Sequence, residues 1–163
     1  ECDLLILPGV GAYPAAMTNL QRHGLAAYLQ EQARKDRPIV GICLGAQLMV
    51  DASAEHRVTA GLGLIPGVVV PFDQARWHIG WNTVEVVGGD PLLRPSDGKS
   101  VYFNHSYILD VPDEYKLCLT RLDRPFVSAI RRGSVVGLQF HPEKSQQPGR
   151  ELLSNVVEGL CDA

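Results

Sequence analysis

At 163 residues, with 45% apolar and 20% charged side chains, the chain suits one domain built on one sizeable core, and nothing in its composition calls for a second. Its formal net charge of -3 is carried without any basic or acidic block, which argues against nucleic acid or an anionic membrane as partner. The cysteines Cys2, Cys43, Cys118 and Cys161 form no C-x-x-C or zinc-type cluster, and the most apolar stretch, residues 61–72, is interrupted by Pro66 and Pro71. These features predict a reduced, cytoplasmic protein with no metal, membrane span or signal peptide.

Taken in order, Leu4-Leu5-Ile6-Leu7 is continuously apolar, as a strand covered on both faces is. The chain starts on it almost without lead-in, as though cut from a longer module. Pro8-Gly9-Val10-Gly11-Ala12 ends the run, and its two glycines free the backbone to present N–H groups outward or to turn over a peptide plane. Leu20, Leu25, Tyr28 and Leu29 then recur at helical spacing, with Pro14 near a helix start and Gly24 dividing two short helices. The apolar run 38–42 closes a βαβ unit.

That run leads into Gly41-Ile42-Cys43-Leu44-Gly45 and then a helix-capable segment. A strand that turns within a residue or two into a helix, with small residues on both sides of a nucleophile, is the Cys form of the nucleophile elbow. The turn lifts the sulfur to the carboxyl edge of a sheet, beside a helix N-terminus whose partial positive charge favours the thiolate. Residues 53–63 are polar and irregular and predict a loop over this site. Beyond them the pattern becomes short β-like runs at 68–70, 82–87, 100–103, 107–109, 116–120, 126–130 and 135–140. Turn signals such as Gly88-Gly89-Asp90-Pro91 and Arg132-Gly133 separate them, so hairpins are the economical reading. Leu152, Leu153, Val156, Val157 and Leu160 describe an amphipathic closing helix.

The last β-run delivers Gln139-Phe140-His141-Pro142-Glu143. Side chains alternate in extended backbone, so His141 and Glu143 point the same way. A carboxylate on one imidazole nitrogen leaves the other free to face a thiol.

Gly41-Ile42-Cys43-Leu44-Gly45-Ala46-Gln47 together with residues 139–143 resembles the Cys-His-Glu signature of class I glutamine amidotransferases. Residues 8–12, Gly61-Leu62-Gly63-Leu64-Ile65-Pro66-Gly67, Ile79-Gly80-Trp81-Asn82 and Tyr102-Phe103-Asn104-His105-Ser106-Tyr107 narrow the resemblance to the glutaminase subunits of imidazole glycerol phosphate synthase, a histidine-biosynthesis family. The resemblance implies an α/β, flavodoxin-like fold: a mixed sheet flanked by helices, with β-hairpin additions. It also implies a single domain over 1–163 that lacks the family's N-terminal βα stretch. By the same resemblance Cys43, His141 and Glu143 are the catalytic residues, and L-glutamine is hydrolysed to glutamate and ammonia through a Cys43 thioester without a cofactor. The Leu44 N–H and, after a flip, the Gly9-Val10 peptide would hold the oxyanion. Gln47, Glu55, Ser106 and Tyr107 would bind glutamine. Trp81, Asn82, Tyr102 and Lys144 would face a (β/α)8 cyclase, the heterodimer partner that receives the ammonia. Trp77-His78-Ile79 stands where that family more often has Pro-His-Met, and His78 and His105 are expected to be structural. Two other readings remain open: a glutaminase of a nucleotide-sugar amidation or anthranilate synthase type, and a shortened module that binds the cyclase without catalysis.

Overall fold

The computed structural model describes residues 3–162, so Cys2 lies outside it. Parallel strands β1 (Leu5–Leu7) and β2 (Ile39–Ile42) are joined through helices α1 (Tyr13–Arg22) and α2 (Leu25–Arg34), the expected βαβ unit. Gly24 separates the two helices at φ 69°, a left-handed conformation that glycine adopts without Cβ strain. After β2 come the short helix α3 (Leu44–Leu48) and strands β3 (Ala52–Ser53), β4 (Thr59–Ala60), β5 (Val68–Pro71), β6 (His78–Thr83) and β7 (Glu85–Val86). Strands β8 (Ser100–His105), β9 (Tyr107–Asp110), β10 (Lys116–Arg121), β11 (Pro125–Arg132) and β12 (Val135–Leu138) precede the closing helix α4 (Gln146–Cys161). No helix among the described residues is long and apolar enough to cross a membrane.

The main sheet runs β1-β2-β12-β11-β9-β5-β3-β4, with β10 paired to β11 and β7 to β10. It is mixed: β2 lies parallel to β1 and β12, whereas β11 is antiparallel to β12, β10 and β9. Two differences from the sequence reading have a physical cause. The segment 53–63 is not wholly irregular, because β3 and β4 pair across it. The strand expected at 82–87 begins earlier, at His78, and Val84 separates it from β7. Ile79, Trp81 and Thr83 alternate outward along β6, and their exposure hides the apolar-in pattern by which strands are found. Hairpins join β10 to β11 and β11 to β12, but β8 and β9 part company. β8 pairs with β6 in a separate ribbon, and β9 joins the main sheet.

The period-two alternation of the central strands divides the core. Ile39 and Val135 face a cluster with Tyr13, Met17, Leu20 and Leu29 from α1 and α2. Val40, Val136 and Leu138 face a second cluster with Phe103, Phe140 and the α4 residues Leu152, Val156 and Leu160, which stand four residues apart on one helix face. β1 lies at one edge of the sheet, where Ile6 is 48% exposed, and Leu25 and Tyr28 of α2 are 47% and 46% exposed. Both clusters meet at the carboxyl ends of β2 and β12, where Cys43 and His141 follow.

Candidate active site

Cys43 sits between β2 and α3 at φ 53°, ψ −111°, a conformation that costs a non-glycine residue on the order of 1–3 kcal/mol. Its N–H donates to the Leu138 carbonyl at 2.7 Å, tying the elbow to the end of β12. The bend is tight enough that a Cβ on Gly45 would collide with the Leu7 carbonyl oxygen, and one on Gly41 would lie 2.7 Å from the Gly45 carbonyl oxygen. Both glycines are therefore required by close approach of backbone to backbone.

A cavity of about 270 Å³ opens over this bend, bordered by Val10, Gly11, Cys43, Leu44, Gln47, Glu55, Asn104 to Tyr107, His141 and Lys144. Residues far apart in the chain thus border one hollow, near the small end of the ~300–1,000 Å³ typical of ligand sites. A larger recess of about 590 Å³ at the amino ends of β2 and β12 is lined by residues such as Gln30, Arg34 and Arg132, without a thiol or an imidazole. The smaller one holds both the thiol of Cys43 and the imidazole of His141.

His141 follows β12 with its side chain 4% exposed, and its Nδ1 lies 2.7 Å from Glu143 Oε1. The carboxylate can only accept, so Nδ1 carries the proton of a neutral ring and Nε2 is left as the basic nitrogen. The backbone is fixed as well: His141 N–H donates to Tyr102 O at 2.8 Å, and Ser145 Oγ donates to His141 O at 2.6 Å. Glu143 is half exposed.

Burial pushes the Cys43 thiol up to about 11, against the lowering influence of the Leu44 N–H and Lys144; Glu143 adds to the rise. The resting sulfur is a thiol, and it donates toward Asn104 O at 3.7 Å. The sequence argument favoured the thiolate. The structure weighs the other way because α3 is only five residues long, too short a dipole to offset desolvation.

Among the other expected site residues, Leu44 turns its N–H to the sulfur. Val10 is 81% exposed on the rim. Gly9 is not on the cavity wall but packs behind it, where an added Cβ would be 3.1 Å from both the Leu44 Cβ and the Gly45 nitrogen. Gln47 is buried, with Nε2 donating to Tyr107 O at 3.1 Å and Gln139 Oε1 at 3.0 Å. Glu55 is buried rather than solvated, because its Oε2 accepts the Tyr13 N–H at 3.0 Å and so caps the first turn of α1 from 42 residues away. The Ser106 carbonyl accepts from Phe72 N–H, and the Tyr107 carbonyl from Gln47 and the His105 ring.

On the neighbouring ribbon Trp81 meets Tyr102 edge-on at 6.0 Å, and Lys144 Nζ stands 5.9 Å from the Tyr102 ring centre. Asn82 differs from these: its Nδ2 donates to Arg121 O and its Oδ1 accepts from Thr83 N–H, so it braces the β6 end. His78 and His105 pack among Phe72, Phe103 and Phe126, and burial lowers both, His105 to about 4.

Sequence reasoning did not place four residues at the sulfur or the cavity: Gly11 and His105, on the wall; Asn104, whose carbonyl accepts from the thiol; and Gln139, whose Nε2 lies 4.0 Å from Sγ. The alternation that pairs His141 with Glu143 reaches Gln139 when counted back by two.

Residues 2–159 match the family model described as glutamine amidotransferase class-I. An imidazole glycerol phosphate synthase subunit HisH of Streptococcus gordonii is 47% identical over 96% of this chain and 77% of its own length. A protein of the same name from Listeria monocytogenes is 45% identical over 97% of this chain and 78% of its own. Among solved structures, PurLQS from Thermotoga maritima superposes with a TM-score of 0.75 at 19% identity, over 97% of this chain and 80% of that one. The glutaminase domain of Trypanosoma brucei CTPS, with bound acivicin, superposes at 0.67 with 20% identity, over 99% and 72%. The structural likenesses concern the fold.

Proposed function

The chain belongs to the glutamine amidotransferase class-I family, and we propose that it is the glutaminase of an imidazole glycerol phosphate synthase, the enzyme of which its relatives of 47% and 45% identity are named as a subunit. The observation that carries the reading is the single cavity bordered by Cys43, His141 and Glu55.

The chemistry follows from the side chains in place. Cys43 rests as a thiol and must lose its proton to attack. His141 Nε2, left basic by the Nδ1 bond to Glu143, takes it as the sulfur adds to the carboxamide carbon of glutamine. The Leu44 N–H faces the developing oxyanion, and the Gly9-Val10 peptide supplies a second donor when it turns over. His141 returns the proton to the departing nitrogen, and ammonia leaves. Water activated by neutral His141 then releases glutamate from the thioester.

Substrate orientation follows from which polar atoms are still available. Gln47 has committed Nε2, so it offers Oε1, and Glu55, whose Oε2 accepts from Tyr13 N–H, keeps Oε1 beside the exposed His56 ring at 3.7 Å, where a bound cation would compete for it. Two acceptors suit the α-ammonium of glutamine. Ser106 and Tyr107 have committed their carbonyls, so their N–H groups are what remains for the α-carboxylate.

Ammonia released to neutral water is protonated and lost, so such an enzyme works docked on its acceptor. The face formed by Ile79 and Trp81, 58% and 49% exposed, with Tyr102 and Lys144, provides aromatic anchors and a cation at the mouth of the cavity. The partner is the (β/α)8 cyclase of the same synthase. The test mixes the protein with cyclase subunits of different pathways and follows glutamate release with and without the acceptor nucleotide. Stimulation by the histidine-pathway cyclase, lost in Cys43→Ala, is expected; stimulation only by another acceptor enzyme would overturn the assignment.

A further inference from the structure

A buried chain of polar groups runs beneath the cavity, and one backbone carbonyl sets its polarity. Tyr107 O can only accept, and two side chains point at it: His105 Nδ1 at 2.9 Å and Gln47 Nε2 at 3.1 Å. His105 must then carry its proton on Nδ1, which leaves Nε2 as an acceptor for His78 Nδ1–H at 3.0 Å. Gln47 must present its amide nitrogen downward, and the same nitrogen donates to Gln139 Oε1 at 3.0 Å. With its oxygen so engaged, Gln139 has one way to face: its Nε2 is turned to Cys43 Sγ at 4.0 Å. Gln139 is fully buried just past β12, its backbone N–H donates to Ser128 O at 2.9 Å, and its side-chain amide is held through Oε1 by Gln47.

We propose that Gln139 is a catalytic residue of this site, whose amide N–H donates to the Cys43 sulfur and stabilises the charge it acquires on deprotonation. Asn104 O accepts from the thiol and so favours the protonated form, and against the cost of burial the Leu44 N–H and the positive charge of Lys144 favour the charged one. A buried amide already aligned by Gln47 pays no reorganisation as the charge appears. The chain also joins the nucleophile to the substrate-facing Gln47 and, through Tyr107 O and His105, to His78 on the ribbon that carries Trp81. The remaining titratable residues around the cavity and the sulfur are His141, Glu143 and Lys144 beyond β12, His105 from β8, Tyr107 from β9, and Glu55 from the loop after β3. None of these replaces a neutral donor in contact with sulfur.

The proposal rests on Cys43 being the nucleophile, and its test is separable from that reading. The rate of iodoacetamide alkylation of the Cys43 peptide is followed by mass spectrometry across pH, in the whole protein. Gln139→Glu keeps the acceptor that Gln47 needs but presents oxygen to the sulfur; Gln139→Met removes both ends. In both, the midpoint of the alkylation profile is expected to rise by about one pH unit, roughly a tenfold loss of neutral-pH reactivity. In Gln139→Glu, kcat for glutamine falls roughly tenfold with KM little changed, whereas Gln139→Met raises KM as well because Gln47 is released. Far-ultraviolet circular dichroism identifies the folded variants, and the thiol profile of either one decides. An unchanged alkylation midpoint in a folded variant would overturn the role of Gln139; glutaminase activity surviving in Cys43→Ala would instead overturn the nucleophile.

Discussion

Cys43 occupies a backbone conformation that suits glycine, and the proposed reaction requires a sulfur there. Two predictions separate those demands. Cys43→Ala removes the nucleophile and lowers glutamate release on the order of 10⁶-fold, as for a triad nucleophile elsewhere. Cys43→Gly is equally inactive but more stable than Cys43→Ala by about 1 kcal/mol in urea unfolding, because φ 53°, ψ −111° strains alanine and not glycine; the reverse order would refute the strain. In the proposed mechanism Glu143 acts through His141, and water reaches its half-exposed carboxylate. Glu143→Gln should therefore lose less than Cys43→Ala, on the order of 10²- to 10⁴-fold in kcat. Steady-state kinetics with KM held near wild type is the expected pattern.

At the scale of elements, the site depends on how closely α3 approaches β1. Leu7 O and Gly45 leave no room for a methyl group, so Gly45→Ala should force β1 or α3 to move, cost about 1–3 kcal/mol and lower the denaturation midpoint. An unchanged midpoint would mean the elbow is looser than its contacts indicate. The strands around this point were legible because they are buried on both faces: Ile39 to Ile42 and Val135 to Leu138 are apolar throughout. β6 was not, because it presents Ile79 and Trp81 to the outside and buries His78. Its register against β8, with His78 opposite His105 and Trp81 opposite Tyr102, follows from long-range pairing that no local pattern encodes. A different long-range pairing, of β12 along β2, places Gln139 against Gln47 across 92 residues.

For the molecule as a whole, burial of neutral His105 predicts acid sensitivity. Its folded value is about 4 against 6.5 for an unhindered ring, so below 6.5 the unfolded chain binds a proton that the folded one refuses. Stability is fully present above pH 6.5 and falls as pH drops toward 4, by on the order of 3 kcal/mol from this group. Urea unfolding at a series of pH values should show that slope, and His105→Asn, which keeps a donor near Tyr107 O without a titrating ring, should flatten it. The proposed docking on a cyclase concerns the whole molecule as well. Trp81→Ala should weaken binding to the cyclase by about 2 kcal/mol, roughly 30-fold, in titration calorimetry, while glutamine affinity of the free subunit stays the same. Equal binding by Trp81→Ala would place the interface elsewhere.

Local order was sufficient for what depends on neighbours in the chain. The apolar runs marked the central strands, the glycines on either side of Cys43 marked a sharp bend, and the alternation around Pro142 aligned His141 with Glu143. Those signals act over a few residues, where backbone geometry alone relates one side chain to the next. Tertiary structure decided what depends on distant groups meeting: the cavity that Cys43 and His141 share, the burial of Glu55 beneath α1, and the proton that stays on the sulfur at rest. It also decided the direction of the Gln139 amide. Burial and hydrogen-bond polarity are properties of surroundings assembled from the entire chain, and no short segment contains them.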